Sequence, residues 1–223
     1  MSRHEVATRR VLYKIPGMET VRVRKEQFPG ADGQPVALDI YEPINSIGDC
    51  VVAIVAGFPD AGFENHVGCK FMEMEWSISM AKLIAASGMT AVTHSNREAE
   101  ADGIALMKHL GAAFGRVGMW TTSGNGPVGL VVASHADCAV FNNPITKDFC
   151  PDTPLFIVRA GKDETAGLNQ ALDTFVTKAL AENKPLTLVN FPDAPHSFEL
   201  SIDTRETRRI LQQGLDFLRA HLV

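Results

Sequence analysis

A mostly parallel α/β sheet, opened by an antiparallel hairpin and covered by helices on both faces, is the fold this sequence predicts. Three observations predict it: short unbroken apolar runs recur from residue 51 onward, segments with helical spacing separate them, and two alternating stretches precede them. Strands buried on both faces read as continuous apolar runs, and parallel neighbours need crossover helices, so the order βαβα marks such a sheet.

The alternating stretches are ETVRVRKEQF (19–28) and QPVALDIYEP (34–43), joined by the turn residues of PGADGQ. Period-2 alternation either side of a Gly-containing turn predicts the hairpin. Six apolar runs follow: VVAIVA (51–56), MTAVTH (89–94), RVGMWT (116–121), CAVFN (138–142), PLFIVRA (154–160) and PLTLVNF (185–191). Each is expected to be a strand buried on both faces. Helices are expected over 74–87, 98–110, 126–134 and 167–182. A last one, over 204–221, sets Ile210, Leu211, Leu215, Leu218 and Leu222 at helical spacing.

The chain has 223 residues, 45% hydrophobic and 21% charged, which suits one soluble globular domain over 1–223, with 1–46 as the hairpin extension of its sheet. Net charge is −5 and no Lys/Arg run gathers on one segment, so a nucleic-acid partner is not expected. The N-terminal MSRHEVATRRVLYKIPG lacks the apolar stretch of a signal peptide. No run approaches the ~18 to 20 apolar residues of a membrane span, so no membrane partner and a cytoplasmic location are expected. Cys50, Cys69, Cys138 and Cys150 are irregularly spaced, which indicates neither a disulfide framework nor a zinc site.

Ligands of open α/β sheets sit outside the carboxyl ends of the strands, and four strand ends here carry chemistry. In TTSGNGP (121–127) an apolar run breaks into Ser123 among glycines, then into a helix with Pro127 in its first turn. A serine hydroxyl attacks a carbonyl only when a base takes its proton, and a sharp strand-to-helix turn exposes it above the sheet edge. The usual pattern is G-x-S-x-G, and here Thr121 and Asn125 occupy the glycine places. By itself the segment therefore reads as a nucleophile turn or as a glycine-rich structural turn. Asp163, in AGKDE, stands where a carboxylate would orient an imidazole, with Glu164 as substitute or a helix cap as the plain alternative. His196, in FPDAPHSF, follows the last strand and has the side chain best suited to general base work near neutrality. Serine, acid and histidine in that order, each past a parallel strand, form a constellation that none of them forms alone.

The fourth end is VAGFPD (55–60), where a serine hydrolase draws one oxyanion-hole N–H, the other coming from the residue after the nucleophile. Phe58 and Gly124 are the expected backbone donors.

With these pieces assembled, AGFPD, TTSGNGP, GKDE and PHSF, the chain resembles the α/β-hydrolases and, among them, the dienelactone hydrolase-like small esterases, from about residue 35 onward. The resemblance implies an α/β-hydrolase fold, Ser123 as nucleophile, His196 as base, Asp163 as orienting acid, and ester hydrolysis without metal or organic cofactor. The chain differs from dienelactone hydrolases proper, which use a cysteine at the elbow and a glutamate near the oxyanion strand, here the neighbourhood of Ala56 and Gly57. Only about ten residues separate the run 138–142 from the next, so no cap domain is expected. The pocket is then open, walled by a long loop over 59–75 with Phe63, His66, Phe71 and Met72, and by Asn142 and Asn143.

His66 and Cys69 share that loop, yet two ligands make no metal site. His94, His109 and His135 read as structural. The expected partner is a small-molecule ester of a small or short-chain acyl group, and a homodimer is compatible with the sequence. Acyl transfer or perhydrolysis by the same residues, and an inert binding protein of this fold, stay open from sequence.

Overall fold

The computed structural model describes residues 3–223. Its eight strands are β1 (Arg22–Pro29), β2 (Pro35–Glu42), β3 (Cys50–Ile54), β4 (Thr90–His94), β5 (Arg116–Thr122), β6 (Cys138–Asn142), β7 (Leu155–Ala160) and β8 (Leu186–Phe191). They form one sheet in the order β1-β2-β4-β3-β5-β6-β7-β8. The β1–β2 hairpin is antiparallel, and β2 joins β4 antiparallel through Leu38 opposite His94 and Tyr41 opposite Ala91. Every pairing from β4 across to β8 is parallel.

Helices α1 (Arg3–Thr8), α2 (Asp60–Val67), α3 (Glu75–Ala86), α4 (Ala99–Phe114), α5 (Gly126–Ala133), α6 (Leu168–Ala181), α7 (Phe198–Ser201) and α8 (Arg205–Leu222) complete the chain. One core packs α3 (Trp76, Met80, Leu83, Ile84) and α8 (Ile210, Leu211, Leu215, Leu218, Leu222) against one face of the sheet. The other packs α4 (Leu106, Met107, Leu110), α5 (Leu130, Val132) and α6 (Leu172, Phe175, Val176) against the opposite face. Strands β3 and β6, buried at every residue, show why their sequences carry no alternation. The segment between β6 and β7 carries no helix, so no cap rises there. Among the described residues no helix is long and apolar enough to cross a membrane.

Two expectations are corrected. The run 185–191 is not buried on both faces: β8 is an edge strand, with Leu188 41% exposed. An apolar run at a sheet edge reads the same as one in its middle, since neighbours are not written in the sequence. The segment 59–75 is not a plain loop, because it holds α2 and a short helical turn over Phe71–Glu73. Helix α2, DAGFENHV, buries only Asp60 and Val67 and so lacks the apolar stripe by which a helix is recognised. Its buried acid ties it down: Asp60 Oδ2 accepts from the Ser95 hydroxyl and, at 3.1 Å, from the Asn96 N–H.

Candidate active site

Ser123 sits at the carboxyl end of β5 with φ +51°, in the left-handed region. A non-glycine residue there stores strain on the order of 1–3 kcal/mol and persists only where its surroundings over-determine it. Here α5 starts three residues later and the Ile145 N–H donates to the Ser123 carbonyl at 2.9 Å, so the turn is held from both sides.

Thr121 and Asn125, the two departures from G-x-S-x-G, have a structural explanation. A Cβ added to Gly57 would lie 2.4 Å from Asn125 Cα, and one added to Gly129 would lie 2.9 Å from the Thr121 methyl. The small residues needed at so sharp a turn have moved to the neighbours, one on the loop after β3 and one on α5. Both side chains are also used. Asn125 Oδ1 accepts from the Gly57 N–H at 2.7 Å, its amide donates to the Thr122 carbonyl at 3.0 Å, and the Thr121 hydroxyl donates to the Val55 carbonyl at 3.0 Å. Asn125 thereby pins the loop after β3 to the turn that carries Ser123.

The loops after β7 and β8 meet through two backbone bonds, Gly161 N–H to the Phe191 carbonyl and Lys162 N–H to the Ala194 carbonyl, each 2.8 Å. This pairing sets Asp163 beside His196. His196 Nδ1 lies 2.6 Å from Asp163 Oδ2, and His196 Nε2 lies 2.7 Å from Ser123 Oγ. A carboxylate only accepts, so Nδ1 carries the imidazole proton and Nε2 is left to accept from the serine hydroxyl. The Asp163 side chain is fully covered while that of His196 is 33% exposed. Burial alone would raise the Asp163 pKa, but hydrogen bonds from His196, Thr165 and Asn143 outweigh it and hold the acid below its usual value.

The structure thus brings Ser123, Asp163 and His196 together. Phe58 and Gly124 flank the serine, and a Cβ at Gly124 would meet the Phe58 ring at 3.1 Å. A pocket of about 350 Å³ opens beside Ser123, lined by Phe58, Phe63, Phe71, Met74, Trp76 and Glu199 among others. Four rings form its wall in sequence: Phe58 and Phe63 stack at 6.3 Å, Phe63 meets Phe71 edge-on at 5.8 Å, and Phe71 leans on Trp76 at 5.6 Å. A larger cleft, about 610 Å³, lies between the 146–150 segment and α6 and contains none of the residues of this chain of hydrogen bonds.

Four residues expected in the pocket wall are not among those lining it: Met72 is buried at 8% exposure, Asn143 is 1% exposed just past β6, and His66 and Asn142 are placed elsewhere. His66 lies on the exposed side of α2, where only Asp60 and Val67 are buried. Asn142 is 1% exposed within β6, opposite Thr122, whose hydroxyl donates to its carbonyl at 2.9 Å. Among the described residues no group of three or more His, Cys, Asp or Glu is placed to hold a metal ion.

Sequence reading missed Glu199 and the roles of Asn125 and Trp76. Glu199 is 0% exposed. Its Oε1 accepts from Trp76 Nε1 at 3.1 Å and lies 3.3 Å from the Thr122 hydroxyl, while Oε2 has no partner among the described residues. Burial pushes this carboxyl above its ordinary value. Its stabilising contribution is therefore complete below the unfolded-state value near 4.5 and is lost as pH rises through the higher folded-state value. Glu199→Gln, which keeps an oxygen for Trp76 and cannot ionise, is expected to melt higher than the parent at pH 8. That advantage should fade toward pH 4.5, which thermal unfolding across pH would read directly.

No protein-family model and no curated protein matches the sequence. Solved structures do match in three dimensions. A thermostable esterase from Pseudomonas putida superposes with a TM-score of 0.69 at 13% identity, covering 94% of this chain and 86% of that one. A thermostable carboxylesterase cloned from a metagenomic library gives 0.66 at 15% identity, covering 91% and 90%. The dipeptidyl peptidase 4 of Porphyromonas gingivalis gives 0.70 at 14% identity over 91% of this chain, which spans only 36% of the peptidase. At such identities the likeness speaks for architecture, and with the sheet order described above it establishes that this chain has the α/β-hydrolase fold.

Proposed function

We propose that the protein hydrolyses carboxylic esters of small or short-chain acyl groups through an acyl-enzyme on Ser123. The observation that carries this reading is the unbroken chain from Ser123 Oγ through His196 to Asp163, with contacts of 2.7 and 2.6 Å. The carboxylesterases among the structural neighbours, and the resemblance to small dienelactone hydrolase-like esterases, support the same class of reaction.

Ser123 Oγ attacks the ester carbonyl while its proton passes to His196 Nε2, and the Asp163 carboxylate stabilises the resulting imidazolium across Nδ1. The Phe58 and Gly124 N–H groups hold the oxyanion, a role in which one donor is worth roughly 3 to 4 kcal/mol in the transition state. His196 returns the proton to the leaving alkoxide. Water, deprotonated by the same imidazole, then cleaves the acyl-enzyme and restores the serine. The pocket of about 350 Å³ lies at the small end of the ~300–1,000 Å³ range of ligand sites, and its wall of Phe58, Phe63, Phe71 and Trp76 suits a compact apolar group.

A fluorophosphonate probe tests the assignment. It is expected to label the folded protein once, with the adduct on the peptide containing Ser123. Folded protein that hydrolyses p-nitrophenyl acetate yet carries no adduct at Ser123 would overturn the reading.

A further inference from the structure

We propose that Asn143 is a positioning residue for this chemistry, fixing the carboxylate oxygen of Asp163 that orients His196. The inference rests on the serine-hydrolase reading and adds a residue to it.

Asn143 follows the last residue of β6, is 1% exposed and has φ +49°. Asparagine tolerates this left-handed conformation better than most side chains. Its backbone N–H donates to the Val158 carbonyl at 2.8 Å, and its Oδ1 accepts from the Ala160 N–H at 3.0 Å. Both bonds run to β7, the strand that leads to Asp163. An N–H only donates, so the bond from Ala160 fixes which end of the amide is oxygen. Nδ2 is then the end that faces the acid, and it donates to Asp163 Oδ2, the same oxygen that accepts from His196 Nδ1. The convergence brings Nδ2 to 2.9 Å from Nδ1. Both atoms are donors, so what holds them together is the anion they share.

Two consequences follow for the reaction. The carboxylate cannot swing away from the imidazole without breaking a bond to an amide that is itself clamped to β7. Part of its charge is also neutralised by Asn143, which limits how strongly Asp163 favours the protonated imidazole. Removing the amide should leave a looser and more basic acid.

Asn143→Gly is the first test, because glycine accepts φ +49° while losing the side chain. We expect kcat for p-nitrophenyl acetate to fall roughly 10- to 100-fold with KM little changed, as for a small misplacement of a catalytic group, and the acid limb of the kcat/KM profile to move to higher pH. The second test exchanges the two groups. Asp163→Asn alone should lose roughly 10⁴-fold, whereas Asn143→Asp combined with Asp163→Asn returns a carboxylate to within reach of Nδ1 and should recover at least tenfold of that loss. A folded Asn143→Gly protein with unaltered kcat and an unmoved acid limb, while Ser123→Ala and Asp163→Asn are inactive, would overturn the proposal and leave the hydrolase reading standing. An exchange variant no better than Asp163→Asn also counts against it. Full activity in Asp163→Asn would remove both.

Discussion

Ser123→Ala is expected to lower kcat/KM toward p-nitrophenyl acetate by about 10⁵-fold while the protein stays folded. The size follows from the proposed mechanism, in which the site works as a unit. Without the hydroxyl there is no nucleophile for His196 to activate, and single losses from such sets cost nearly as much as removing every member, on the order of 10⁶ in kcat. Residual turnover would come only from pocket binding and the oxyanion donors. Circular dichroism should be unaltered and the melting temperature close to that of the parent, because Ser123 gives up one partly exposed side-chain bond, to His196. A variant that kept a tenth or more of the parent rate would mean that another group performs the attack.

Gly57→Ala is expected to cost both stability and activity. The added carbon would lie 2.4 Å from Asn125 Cα and 3.1 Å from the Asn125 carbonyl carbon, so backbone rather than a flexible side chain must yield. Overpacking of this kind costs about 1–3 kcal/mol, or roughly 2–12 °C in melting temperature for a chain of this length. The Gly57 N–H bond to Asn125 Oδ1 is also the link that sets the loop after β3 against the serine turn. On the proposed mechanism, displacing that loop by about 1 Å moves the Phe58 N–H from the developing oxyanion and should lower kcat on the order of 100-fold. Gly62→Ala provides the contrast: nothing lies within 4 Å of its added Cβ and it falls inside α2, so stability should hold or rise by about 0.5–1 kcal/mol. Equal damage from both substitutions would refute the close-approach explanation.

Much of the sheet was legible because burial writes itself into short-range pattern. Runs 51–56, 89–94, 116–121 and 138–142 are unbroken because helices cover both faces of those strands. The hairpin alternates through most of its inner strand β2, where Val36 and Leu38 are buried between exposed or half-buried neighbours before Ile40 and Tyr41 are both buried. The edge position of β8 was not legible, since a strand's neighbours depend on crossovers far along the chain. Helix α2 escaped because its single buried acid, rather than an apolar stripe, attaches it to the loop after β4.

The candidate site divides in the same way. Ser123, Asp163 and His196 could be named from their order and their places after strands. Asn143 was expected in the pocket wall and Glu199 was given no role, because nothing local distinguishes an amide that meets Asp163 from one in a pocket wall, or a buried carboxyl from a solvated one.

What the sequence determined by itself was the parallel sheet, the hairpin before it and which residue types stand at the strand ends, because these follow from periodicity and turn chemistry over a few residues. Only the tertiary structure decided that Gly57 and Gly129 supply the room missing around Ser123, that Asn143 meets Asp163, and that Glu199 is sealed beside Trp76. Each of those is a contact between segments far apart in the chain, and a close approach depends on where both backbones run, which neither local sequence contains.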